Sequence, residues 1–109
     1  MYPAGYNKTV FEVRKTEVFA AWLDGLSDLM GRARILARIE RLRGGNFGDS
    51  KSLGDGIGEL RIDTGPGYRV YYTKVGTEIV ILLAGGDKKS QARDIPKAKA
   101  MAKQLNDLK

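Results

Sequence analysis

Apolar and polar positions along the chain change period several times, and each change marks an element. Met1–Asn7 has no period and reads as a loose tail, leaving residues 8–109 as a single domain. Lys8–Arg14 alternates, with Thr9, Phe11 and Val13 opposite Val10, Glu12 and Arg14, which predicts a first strand. Thr16 is a good helix N-cap, and Glu17 follows where negative charge suits the helix dipole. Phe19, Trp22, Leu23 and Leu26 then form one helical face, ending near Gly25–Ser27. A second helix is predicted over Leu29–Arg43, with Ile35, Leu36, Ile39 and Leu42 as its buried stripe and Gly44-Gly45 as its stop. Together the two predict an antiparallel helical hairpin laid across a sheet.

Beyond them Asn46–Gly58 is polar, rich in glycine, and reads as a loop. Strands follow over Ile57–Asp63, Tyr68–Lys74 and Glu78–Ala84, separated by Thr64-Gly65-Pro66-Gly67 and Val75-Gly76. Ile79–Leu83 is continuously apolar, as suits a central strand buried on both faces. Ser90–Leu108 is amphipathic through Ala98, Met101, Ala102, Leu105 and Leu108. With Pro96 inside, this helix starts either at Asp94 or at Ser90 with a kink. The predicted order is β-α-α-β-β-β-α. That is an α+β fold with a mainly antiparallel sheet of about four strands.

Composition narrows the chemistry. The chain has no cysteine, which excludes disulfides and thiolate metal sites and fits a reducing cytoplasm. It also has no histidine, which removes the commonest general base and the commonest zinc ligand. Neither metal nor cofactor is expected. No apolar run approaches the roughly 20 residues of a membrane span, and no signal-peptide pattern opens the chain. Lys and Arg outnumber Asp and Glu by 19 to 13, for a net charge of +6. That balance favours a polyanionic partner if the cations are grouped.

Grouping is visible in the strands. With Leu60 and Ile62 toward a core, Glu59, Arg61 and Asp63 take the other face. With Val70 and Tyr72 inward, Arg69 and Tyr71 face the other way. Antiparallel pairing across Gly65–Gly67 then brings Arg61 and Arg69 to one face, with Lys88 and Lys89 at its edge. The plainer alternative is a surface patch in which Glu59 and Asp63 neutralise the arginines. In the second helix Arg34, Arg38 and Arg41 follow i, i+4, i+7, either a phosphate-gripping stripe or a solvated face. Trp22 belongs with the core residues. Gly54-x-Gly56-x-Gly58 precedes a strand and so is not a dinucleotide signature.

Three motifs, E-L-R-I from Glu59, G-Y-R-V-Y-Y from Gly67 and I-L-L-x-G-G-D-K-K-S-Q from Ile81, are specific in combination. Together they resemble the RelE/ParE superfamily of toxin–antitoxin killer proteins, in the HigB-like "addiction module killer protein" branch. The resemblance runs from about Val10 to Leu105 and implies a RelE-like fold. It implies a ribosome-dependent mRNA endoribonuclease that needs no metal, in which a 2′-hydroxyl attacks the neighbouring phosphate. Arg69 then matches the phosphate-stabilising arginine, Arg61 a strand cation assisting the leaving oxygen, and Lys88 the basic residue after the last strand. Lys51 is a weaker match. Lys51, Arg34, Arg38, Arg41, Lys89 and Tyr71 become candidate RNA contacts. The family's C-terminal Tyr or His base is missing, its place falling near Asp94, and Tyr71 or a lysine could substitute. The implied partners are the ribosome, mRNA and a helix-turn-helix antitoxin that covers or distorts the basic face, in a heterotetramer with the toxin. The rivals are a ParE-like DNA gyrase poison and a degenerate toxin without catalysis.

Overall fold

The computed structural model describes residues 10–108; the predicted tail and the strand positions Lys8 and Thr9 lie outside the described residues. Among the described residues a five-stranded sheet runs in the order β1-β5-β4-β3-β2. The strands are β1 (Glu12–Lys15), β2 (Ser50–Gly54), β3 (Ile57–Ile62), β4 (Tyr68–Val75) and β5 (Ile79–Asp87). The helices are α1 (Glu17–Asp24), α2 (Leu29–Arg43) and α3 (Gln91–Asp107). The predicted α+β class holds, with one strand more than expected. No described helix is long and apolar enough to cross a membrane.

Local chemistry sets the helix starts. Thr16 Oγ1 accepts the N–H of Phe19 at 3.0 Å and donates to the Leu83 carbonyl at 2.7 Å, so the α1 cap is also a tie to β5. Asp28 caps α2 by accepting the Gly31 N–H at 2.9 Å, and its other oxygen accepts the Tyr68 hydroxyl at 2.8 Å. Asp87 caps a 3₁₀ turn over Lys88–Ser90 that leads directly into α3. The helix therefore starts at Gln91, between the two starts predicted, with Pro96 inside it.

Two sheet features depart from expectation. The predicted loop Asn46–Gly58 contains β2, which pairs antiparallel with β3 and bulges between Ser52 and Gly54. Its polar edge positions carry no apolar period, so only backbone pairing defines it. The turn Asp55-Gly56, with φ of 53° and 78°, was the available hairpin signal. At the other edge β1 pairs parallel with β5, Val13 opposite Val80, so the sheet is mixed.

Both faces of the sheet are covered. On one, Phe19, Leu23, Ile35, Ile39 and Leu42 pack on Leu60, Ile62, Val70 and Leu82. On the other, Ala98 and Ala102 of α3 pack on Ile57, Tyr71, Leu83 and Ala84. Both early helices lie on the first of these faces, as predicted, α1 resting on β5 and α2 on β3. Leu36, predicted in the buried stripe of α2, is 48% exposed, and Gly31 lies on the buried side in its stead.

At the end of β5 the layers approach most closely. A Cβ on Gly85 would enter the Trp22 ring, and one on Gly86 would meet the Asp94 carboxylate and Ser90 Oγ. Gly85→Ala should therefore destabilise the protein by about 1–3 kcal/mol through overpacking, as measured by urea unfolding. The bonds from Gly31 and Tyr68 hold the Asp28 carboxyl below its ordinary value of 3.8. A depressed carboxylate stabilises the fold above its unfolded pKa, and that contribution is lost as pH falls through the folded value. Asp28→Asn should accordingly flatten the loss of stability below about pH 4, in melting curves taken across that range.

Candidate functional site

Strand register places the first two predicted cations. Arg61 pairs directly with Arg69 across β3 and β4, and Arg69 pairs with Gly86 across β4 and β5. Lys88 joins them at Gly67, where a Cβ would lie 3.4 Å from Arg69 Nη1 and 3.5 Å from the Lys88 Cβ. Arg61 and Arg69 thus sit on neighbouring strands at one end of the sheet, with Lys88 next to Arg69.

A carboxylate organises this group. Glu59 is only 1% exposed; its Oε1 accepts from Arg61 Nε at 3.1 Å and lies 4.0 Å from Arg69 Nε. Its Oε2 accepts from Gln91 Nε2 of α3 at 2.9 Å. A carboxylate so far from water persists only when cations and donors surround it, and here both are present. Glu59 thus partners the arginines as in the plainer alternative, but from a buried position, and Asp63 stays exposed. Asp94, against Gly86, and Asp87 also lie at this end of the sheet, while Lys88 is exposed and makes no ion pair among the described residues. Arg69 is the more enclosed arginine, its side chain 12% exposed against 36% for Arg61, and its Nη1 donates to the Tyr68 carbonyl at 3.1 Å. Its Nε is buried without a hydrogen-bond partner among the described residues.

The remaining predicted residues divide. Lys51 is exposed and opposite Glu59 on β2, so it flanks the same face from the sheet edge. Lys89 is exposed in the 3₁₀ turn beside Lys88. Arg34 and Arg41 are exposed along a cleft of about 160 Å³ with Asp63 and Thr64. Two assignments need correcting. Arg38 does not point freely to a phosphate: its guanidinium donates to the carbonyls of Arg61, Phe47 (2.9 Å) and Asp49 (3.0 Å), clamping the loop before β2 onto β3. Tyr71 is fully buried under α3, and its hydroxyl has no hydrogen-bond partner among the described residues. Desolvation, reinforced by Glu59 and Asp94, pushes that phenol well above its ordinary value of 10.0. It is neither an RNA contact nor a base that works near neutral pH.

Asp94, near which the RelE-type resemblance would put a base, is buried against Gly86, accepts from Ser90 Oγ and lies 3.5 Å from Arg93 Nε. Sequence reasoning missed Gln91 altogether. It lies in the run after β5, and nothing short of the turn capped by Asp87 shows that its amide reaches Glu59.

Comparison with known proteins sets this geometry in a family. The family model described as "Phage derived protein Gp49-like (DUF891)" matches residues 21–106. The chain belongs to that family. A relative is an uncharacterized protein of Haemophilus influenzae (strain ATCC 51907 / DSM 11121 / KW20 / Rd), 52% identical over 94 residues, or 86% of this chain and 95% of that protein. The Gp49-like stretch spans Glu59, Arg61, Arg69, Lys88 and Gln91, and begins inside α1, after β1.

Removing the Tyr71 hydroxyl tests its place in the core. An unpartnered buried hydroxyl costs about 1–3 kcal/mol, so Tyr71→Phe should melt at the same or a higher temperature. The same variant should keep whatever activity Arg61→Ala loses, since it leaves the cation group intact.

Proposed function

We propose that this Gp49-like protein is the toxin of a type II toxin–antitoxin pair that cleaves mRNA on the ribosome and is held inactive by a helix-turn-helix antitoxin. The observation that carries this reading is the direct pairing of Arg61 with Arg69, with Lys88 beside them. In the proposed step the ribose 2′-oxygen attacks the adjacent phosphorus and the bond to the 5′-oxygen breaks. The products are a cyclic phosphate and a 5′-hydroxyl, so one proton moves overall from the 2′-oxygen to the leaving oxygen. Negative charge grows on the phosphoryl oxygens in between. Guanidinium groups fixed beforehand by Glu59 stabilise that charge without reorganising at the moment of reaction. Lys51 and Lys89, both exposed near this face, supply phosphate contacts along the RNA.

A second reading has its own support. Glu59 engages both arginines and Tyr71 is sealed in the core, as would suit a ParE-like protein that poisons DNA gyrase by contact alone.

Substitution separates the two. Arg61→Ala should reduce mRNA cleavage and growth inhibition roughly 100- to 1000-fold, the usual cost of one preorganised donor at a transition state. It should also lose about 1–3 kcal/mol of stability, because Arg61 is the charged donor 3.1 Å from the buried Glu59, and Arg61→Lys restores that charge. Arg69→Ala should lose activity and also about 1–3 kcal/mol of stability, since it takes a counter-charge from a buried carboxylate. Arg69→Lys restores that charge and checks that lost activity is not lost folding. Mapping of mRNA ends after induction is the measurement. An Arg61→Ala variant that stays fully toxic while gyrase-dependent DNA breaks accumulate would replace the nuclease reading with the second one.

A further inference from the structure

The helix α2 has two apolar faces, and the fold uses only one. Gly31, Ile35, Ile39 and Leu42 are buried toward the sheet. On the opposite side Leu29 and Met30 are 73% and 63% exposed, Leu36 is also open, and Ala33 and Ala37 are exposed with them. Leu29, Ala33 and Leu36 follow i, i+4, i+7, and Met30 and Ala37 follow i, i+7, so the five make one continuous stripe. A solvated helix ordinarily carries charge there. Isolated exposed leucines need no explanation, but a contiguous apolar stripe marks an interaction surface.

The flanks of the stripe state what it accepts. Arg34 and Arg41, seven residues apart, line one side, exposed and without an ion pair among the described residues. Arg32 and Arg43 line the other, paired only with the exposed carboxylates of Asp24 at 4.0 Å and Glu40 at 3.4 Å. Five arginines against Glu40 alone give α2 a net charge of +4. We propose that the outer face of α2 is the docking surface for an acidic amphipathic helix of a partner protein. Apolar side chains at helical spacing on such a partner interdigitate with Leu29, Ala33 and Leu36, and its flanking carboxylates meet the arginines. RNA could use Arg34 and Arg41 but would gain nothing from covering Leu29, Met30 and Leu36. A second copy of this chain would bring two helices of +4 together. The acidic helix satisfies both halves of the surface.

The proposal rests on the toxin reading only for the identity of the partner, which is then the antitoxin. It also fixes how the antitoxin sits. Leu60 and Ile62 of β3 pack in the core with α2, while Glu59, on the alternate side of the strand, bonds to Gln91 of α3. A helix on the outside of α2 is therefore across the sheet from Arg61 and Arg69. It restrains the toxin by its bulk rather than by touching the cations.

The test is the Leu29→Ser, Leu36→Ser double variant, co-expressed with the product of the reading frame adjoining this gene. Both side chains are exposed, so melting temperature and growth inhibition by the chain alone should be unchanged. Affinity for the adjoining product, titrated with purified components, should fall about 10- to 100-fold. Arg34→Glu with Arg41→Glu should weaken the same complex. Undiminished affinity of the double variant overturns the proposal, as does failure of the adjoining product to bind the unaltered chain. So does loss of ribosome co-sedimentation in its place, which would assign the face to RNA, or a dimer of the chain alone that the variant splits, which would assign it to a second copy. If affinity falls as expected while Arg61→Ala remains toxic, the docking surface stands and the nuclease reading fails.

Discussion

Glu59 holds a negative charge where almost no water reaches it, and three elements meet to keep it there. Arg61 comes from its own strand, Arg69 from β4, and Gln91 from the first turn of α3. None of these contacts is replaceable by solvent, since a buried carboxylate deprived of its partners costs several kcal/mol. The basic group therefore has two duties. Its arginines hold the charge of Glu59, and in the proposed reaction they meet a phosphate in the geometry that Glu59 fixes. Arg38 extends the arrangement from the other side, with its guanidinium on the Arg61 carbonyl.

The same end of the sheet is where the layers crowd. Gly85 admits the Trp22 ring from the α1 side, and Gly86 admits Asp94 and Ser90 from the α3 side. A side chain at Gly85 would push α1 outward, and one at Gly86 would push α3 and move Gln91 with it. The Asp87 cap that follows turns the chain so that Gln91 opens α3 in reach of Glu59. The Gly-Gly-Asp-Lys run thus combines two close approaches, a helix start and one cation of the candidate site within four residues.

Much of this was legible in the chain. The bounds of α2, the Thr16 cap, the three strands after residue 56 and the meeting of Arg61 with Arg69 all follow from period, capping chemistry and turn residues. Period fixes which residues share a face, but not what covers that face. Arg69 and Tyr71 were rightly placed together, yet α3 closes over Tyr71 and leaves Arg61 partly open. Leu36 shows the same limit on a helix, where an apolar residue was assigned to the core although it belongs to a second stripe. The sequence was silent on β2 and on the parallel pairing of β1, because edge strands with polar side chains are defined by backbone bonds. Arg38 was read as a surface cation because its acceptors are carbonyls, which no residue type announces.

The parallel pairing of β1 with β5 also governs when the molecule can exist. Thr16 bonds to Leu83, 67 positions later, and β5 separates β1 from the rest of the sheet. During synthesis the first strand and the underside of α1 therefore wait for Ile79–Asp87 to be made. Contacts this distant in sequence form late and slowly. Nor can Arg69 and Lys88 stand together, or Gln91 reach Glu59, before the last third of the chain is made. Fragments that stop short of Lys88 and Gln91 therefore lack the assembled cation group, however well their helices form.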